Sequence, residues 1–209
     1  MFCNKCGKEL NNDARFCCFC GAPQGIQSVP QQPQPPQCAP GPCYLYMDAK
    51  GLTLLNYKFD IKDAAGNLRY RAATVTEGMF TYNARVYYPN DAEAMIIHQQ
   101  KKLTMAAMNF DIFAPNGALV TEVLQKIHFA TSEFRLPQLD LVVKGDFLSL
   151  NFSFLRGNQV VAAVRKKFLA WGDSYELEYY DPNLEQVLLA TIMVIQMVIA
   201  ASHNRRRRR

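Results

Sequence analysis

Tyr57, Phe59 and Ile61 alternate with Lys58, Asp60 and Lys62, and Asp63-Ala64-Ala65-Gly66-Asn67 then supplies turn-forming residues. A period of two places every apolar side chain on one face of an extended strand, and Gly and Asn accept the backbone angles of a tight turn. The cycle recurs down the chain. Phe110 and Ile112 lead into Pro115-Asn116-Gly117, followed by Leu119, Thr121 and Val123. Leu148, Leu150, Phe152 and Phe154 alternate with Ser149, Asn151 and Ser153 before Arg156-Gly157-Asn158, after which come Val160, Ala162 and Val164. Tyr175, Leu177 and Tyr179 alternate with Glu176 and Glu178. Hairpins repeated at this spacing predict an antiparallel sheet packed on one side, closed as a barrel or doubled as a sandwich.

One segment breaks the rhythm. Asp181-Pro182 offers a cap followed by proline at the first helical position. From Leu184 to Ala201 the only polar residues are Glu185, Gln186, Thr191 and Gln196. A helix apolar around its whole circumference does not lie on a protein surface. It belongs either in a core or in a bilayer. The stretch from Val187 to Ala201 is shorter than the ~20 residues a bilayer core needs, and Gln196 interrupts it. The pattern therefore favours a buried helix over about 183–202, serving as the plug of a closed barrel, over a membrane-spanning tail.

Composition divides the part of the chain that precedes the strands. Residues 24–43 carry no charge and contain six prolines and six glutamines. Such a stretch buries too little apolar surface to offset its ordering entropy and favours extended polyproline II. It reads as a linker of up to roughly 60 Å at ~3.1 Å per residue. The 209-residue chain has a net charge of +5, and Arg205 to Arg209 account for all of it. A neutral body makes a nucleic-acid-wrapping fold a poor reading without excluding nucleic acid as a partner.

Five of the seven cysteines lie in the first twenty residues, and the opening Met1 to Cys6 has no basic stretch leading into an apolar run. The expectation is a protein without a secretory signal, whose paired thiols hold metal rather than a disulfide framework. Cys3-x-x-Cys6 and Cys17-x-x-Cys20 are each followed by glycine, at Gly7 and Gly21. Two cysteines two apart on a turn reach one ion, and four thiolates in a tetrahedral array select zinc. About twenty residues cannot build a sufficient apolar core, so metal must hold them together. Four thiolates close the coordination shell, which makes the single Zn2+ structural. Cys18 lacks the two-residue spacing to Cys20, and Cys38 and Cys43 stand in or at the edge of the linker. The unit resembles the zinc-ribbon modules found at the start of many bacterial proteins.

The remainder resembles a family. Gly145-Asp146-Phe147, Phe152-Ser153-Phe154, Val160 through Lys167, Trp171-Gly172-Asp173-Ser174-Tyr175, the closing apolar helix and the hairpin from Phe59 to Leu68 are similar to segments of LURP-one-related proteins. Those proteins share their fold with the tubby C-terminal domain and the phospholipid scramblases. The resemblance covers about residues 44–204. It implies a mainly β fold, a closed antiparallel barrel of about twelve strands around the C-terminal helix. Where the family helix often carries an acidic residue this chain has Gln196.

The resulting organisation is a zinc ribbon at 1–23, a linker at 24–43, a barrel at 44–204 and a polybasic tail at 205–209. No catalytic constellation is visible: His98, His128 and His203 are scattered, and Asp63 and Asp173 sit at turns or strand ends, where aspartate serves the backbone. Lys101, Lys102, Arg165, Lys166, Lys167 and Arg205, Arg206, Arg207, Arg208 and Arg209 are the candidates for meeting anionic phospholipid, as tubby domains meet phosphoinositide head groups. The leading expectation is a non-enzymatic, cytoplasmic adaptor, peripheral to a membrane or bound to a protein partner. The alternatives are a tail-anchored membrane protein and a zinc-ribbon recruiter of nucleic acid or protein.

Overall fold

The structure is a computed structural model that describes residues 6–9, 41–48, 58–77, 81–100, 107–127, 132–169 and 172–207. The chain forms two compact units, 1–36 and 37–209. The first unit is described only over Cys6, Gly7, Lys8 and Glu9. Gly7 has φ +69°, a left-handed conformation that glycine adopts without steric cost and that suits the turn closing a Cys-x-x-Cys pair.

The second unit is a twelve-stranded antiparallel barrel. Its strands are β1 (Cys43–Asp48), β2 (Lys58–Asp63), β3 (Leu68–Glu77), β4 (Thr81–Tyr87), β5 (Glu93–Gln99) and β6 (Asn109–Phe113), then β7 (Leu119–Ile127), β8 (Ser132–Leu136), β9 (Leu141–Asp146), β10 (Asn151–Arg156), β11 (Gln159–Leu169) and β12 (Gly172–Tyr179). Each strand pairs with its neighbours in sequence, and β1 pairs with β12 from Cys43↔Tyr179 to Asp48↔Ser174 to close the ring. Closure leaves no strand edge exposed.

The alternating residues point as their pattern requires. Phe59 and Ile61, Phe110 and Ile112, Phe152 and Phe154, and Ala162 and Val164 are buried inside. One alternation was misleading. Leu148 and Leu150 do not extend β10; residues 147–150 form the turn between β9 and β10. The Asp146 carboxylate accepts hydrogen bonds from the Leu148 and Ser149 backbone N–H groups at 3.0 and 3.2 Å, and this local capture overrides the strand pattern.

The barrel is filled by α1 (Glu185–Arg207), which comes after a 3₁₀ turn over Pro182–Leu184. Asp181 caps that turn, its carboxylate accepting from the Asn183 backbone N–H at 3.0 Å. Every residue from Val187 to Val198 is buried, so the helix is covered on all sides, and this accounts for its all-round apolarity without a bilayer. Its length and hydropathy alone would allow a membrane span. The helix runs five residues past the predicted end and takes in Arg205, Arg206 and Arg207.

Because successive strands reverse direction, the barrel has two distinct ends. The tight turns after β2, β4, β6, β8 and β10 gather with Tyr179 and the start of α1 at one end, the turn end. The connections after β1, β3, β5, β7, β9 and β11 join strand ends at the other, the loop end.

Candidate functional site

At the turn end a carboxylate is sealed into the mouth of the barrel. Glu185 occupies the first turn of α1, where the helix N-terminus favours negative charge, and it is only 1% exposed. The Tyr179 hydroxyl donates to one of its carboxylate oxygens, and Arg69 donates to the other at 3.3 Å. The Arg69 guanidinium also lies 5.9 Å from the centre of the Tyr70 ring. One residue along α1, Gln186 donates to the Tyr88 hydroxyl at 2.8 Å, and Tyr88 packs against Tyr70 with ring centres 5.6 Å apart.

This cluster is strongly biased against tyrosinate. Burial, then the neighbouring Glu185 charge, pushes the Tyr70 hydroxyl well above the ordinary tyrosine range. Burial and the hydrogen bond to Glu185 do the same for Tyr179. For Arg69, burial works against the charged form but facing Glu185 outweighs it and raises the guanidinium pKa. The cluster has no activated nucleophile and its acid is already paired. Its chemistry is that of a latch, which fixes the start of α1 to β3, β12 and the turn after β4. Sequence reading missed it, because Arg69 and Glu185 are 116 positions apart and only Asp181-Pro182 announced the helix start locally.

The loop end has the opposite character. A helix rises ~1.5 Å per residue, so Arg205 stands roughly 30 Å along α1 from Glu185, whereas tilted strands of this length span roughly 20 Å. The arginine end of α1 therefore belongs to the loop end. Lys58, Lys126, Lys144, Lys166 and Lys167 lie in the loop-end halves of their strands, and Lys50, Lys101 and Lys102 fall in the sequence between strands that end there. The acidic residues of the strand halves at that end are Asp48, Asp60, Glu77, Asp111, Glu133, Asp146 and Asp173. Among the described residues the five lysines, Arg165 on β11 and Arg205, Arg206 and Arg207 outnumber them. The turn end gathers Asp63, Asp91, Glu93, Glu122, Asp140, Glu176, Glu178, Asp181 and Glu185 against Lys62, Arg69, Arg71, Arg85, Arg135 and Arg156, a mildly acidic balance.

The candidates within the basic group do not behave alike. Arg165 and Lys167 share the outer face of β11 and are matched from β12: Arg165 with Glu178 at 3.7 Å, Lys167 with Glu176 at 3.2 Å. They form an ion-paired ladder, which offers an anionic ligand less than their sequence suggested. Lys166 stands in the register of the inward-facing Ala162 and Val164 yet is exposed, which puts it at the loop-end mouth. Lys101, Lys102, Arg208 and Arg209 lie outside the described residues, as do Cys3, Cys17 and Cys20. Of the four metal-ligand candidates only Cys6 is described, and it is exposed. Cys43, at the start of β1, is disulfide-bonded, which the expectation of reduced thiols did not include.

Residues 44–196 match the family described as LURP-one-related. The chain belongs to the LURP-one-related family. One relative is the "Uncharacterized protein YxjI" of Bacillus subtilis (strain 168), 32% identical over 104 residues. The match covers 50% of this chain and 64% of that relative, so it spans less than two-thirds of the relative's length. A protein of Arabidopsis thaliana solved by X-ray crystallography has the same fold, with a TM-score of 0.55 at 15% identity over 78% of this chain and 95% of its own. The LURP-one-related segment contains all twelve strands except the first residue of β1, and most of the buried part of α1. The terminal arginines lie beyond the matched segment, so the basic loop end is built partly by the LURP-one-related barrel and partly by the C-terminal extension of its helix.

Proposed function

We propose that this LURP-one-related protein is a non-enzymatic adaptor, cytoplasmic and peripheral to the membrane, whose barrel docks by its loop end on anionic phospholipid. The Cys-rich module serves it as a zinc ribbon closed by Cys3, Cys6, Cys17 and Cys20. The observation that supports the docking reading is the gathering of the unbalanced positive charge at one end of the barrel. Each such charge near an anionic leaflet adds ~1 kcal/mol and is screened beyond ~8 Å at physiological salt, so five arginines supply at most ~5 kcal/mol. That magnitude fits reversible association rather than anchoring. The burial of α1 gives no support to a tail-anchored protein, since the residues that would face lipid already face the barrel wall.

Co-sedimentation of the full chain with phosphatidylserine-containing and with pure phosphatidylcholine vesicles tests this. Binding should be confined to the anionic vesicles, weaken with salt and fall sharply when Arg205–Arg209 are removed. Residual anionic binding after that deletion assigns the rest to the lysines of the loop end. Equal binding to both vesicle types, or to neither, refutes the reading.

A further inference from the structure

Among the described residues the most exposed large apolar side chain is Leu148, at 72%. It sits at the tip of the turn joining β9 to β10, at the loop end. The turn is firmly built beneath it. The Phe147 ring meets Phe134 edge-on at 5.0 Å and Phe152 at 5.3 Å, which ties the residue before Leu148 to the core. Leu150, on the other side, is buried with φ +54°, and its backbone N–H donates to the Phe147 carbonyl at 3.3 Å. Gly145 at φ +143° lies so close to β10 that an added Cβ would come within 2.5 Å of Phe152 Cα. With Phe147 and Leu150 anchored inward, Leu148 is held outward in water. Ile127, which ends β7 two strands away, is also exposed, at 51% and at the same end. Strand spacing separates β7 from β9 by roughly 10 Å.

Isolated exposed leucines are common on soluble proteins and need no explanation. This one stands on a rigid turn inside the basic end, between Lys126 and Lys144, the latter 3.9 Å from the Glu133 carboxylate, on one side and Lys166 on the other. The one acid at the turn, Asp146, has its carboxylate occupied by the two backbone N–H groups that shape it. We propose that Leu148, seconded by Ile127, inserts into the interfacial layer of an anionic bilayer while the surrounding cations lie on its head groups. The inference rests on loop-end docking and adds its orientation and an apolar contribution: α1 stands with its C-terminus toward the membrane, and binding is not electrostatic alone.

The test uses the full chain and vesicles of phosphatidylcholine with phosphatidylserine. Leu148→Ser should weaken binding about tenfold, the scale of burying a leucine side chain part-way, and leave the salt dependence unchanged because no charge is altered. In Leu148→Trp the introduced indole should shift its emission to the blue on these vesicles and be quenched by brominated acyl chains. Both substitutions are at an exposed position, and an unchanged thermal transition confirms folding. If the unaltered chain binds the vesicles but Leu148→Ser binds equally, or the indole stays open to aqueous iodide, docking survives and insertion is wrong. If the unaltered chain does not bind, loop-end docking fails and insertion with it.

Discussion

Glu185 shows how much a single side chain can determine at the mouth of this barrel. Its carboxylate is removed from water and held by the Tyr179 hydroxyl and the Arg69 guanidinium. Losing one partner of a buried acceptor costs about 1–3 kcal/mol, so Tyr179→Phe should lower the urea midpoint by a corresponding amount at neutral pH. The same residues give the domain an alkaline limit. Tyr70 and Tyr179 are raised above the ~10 of an unfolded tyrosine. Above that pH the unfolded chain releases protons that the folded chain retains, so stability is complete below about pH 10 and declines as pH rises beyond it. Urea titrations at increasing alkalinity should show this loss, and Tyr179→Phe should make its slope shallower. An unaltered slope would mean that Tyr179 does not contribute to the limit.

At the scale of elements the helix and the Cys-rich module pose separate questions. Ile195 is fully buried in α1, and Ile195→Asp would put an unpaired charge in the core. The cost should exceed ~4 kcal/mol, a large share of a stability of about 5–15 kcal/mol, and circular dichroism should report a largely unfolded domain. A folded, soluble variant would show that α1 is dispensable to the barrel. For the proposed zinc site, elemental analysis should give one zinc per chain, unchanged in Cys18→Ser and lost in Cys17→Ser; the reverse would reassign the ligand. Legibility differed between elements for physical reasons. β2, β6, β7, β10, β11 and β12 announced themselves by clean alternation, and Asp181-Pro182 marked the helix start because capping is local. β1, β3, β4, β5, β8 and β9 were less visible. In β3 the reason lies on the outer face, where Ala73 is buried too and the period of two blurs; in β5 a register shift against β4 at Ala94 interrupts the alternation. Leu148 was assigned to a strand because periodicity does not register a carboxylate that captures two backbone N–H groups.

For the molecule as a whole, the surplus charge at Arg205–Arg209 is plain in the sequence, but the face it shares is not. That Lys126, Lys166 and the terminal arginines belong to one end emerges only from strand order, strand direction and the length of α1. The latch was hidden for the same reason, since closing the ring is what brings residue 69 to residue 185. The position of α1 in the chain has a consequence for synthesis. A ribosome that has made residues 44–180 has delivered every strand but not the helix that fills the ring they form. Until α1 emerges, twelve apolar faces have nothing to close upon, and one edge of β1 waits for β12, nearly the whole length of the domain away. Translation proceeds at about 5–20 residues per second, so for several seconds the nascent chain depends on whatever shields exposed strands in the cell. Ribosome-stalled chains ending at residue 180 should be degraded by added protease under conditions in which released, full-length protein resists it. Protection of the stalled chain would show that the wall assembles before its filling arrives.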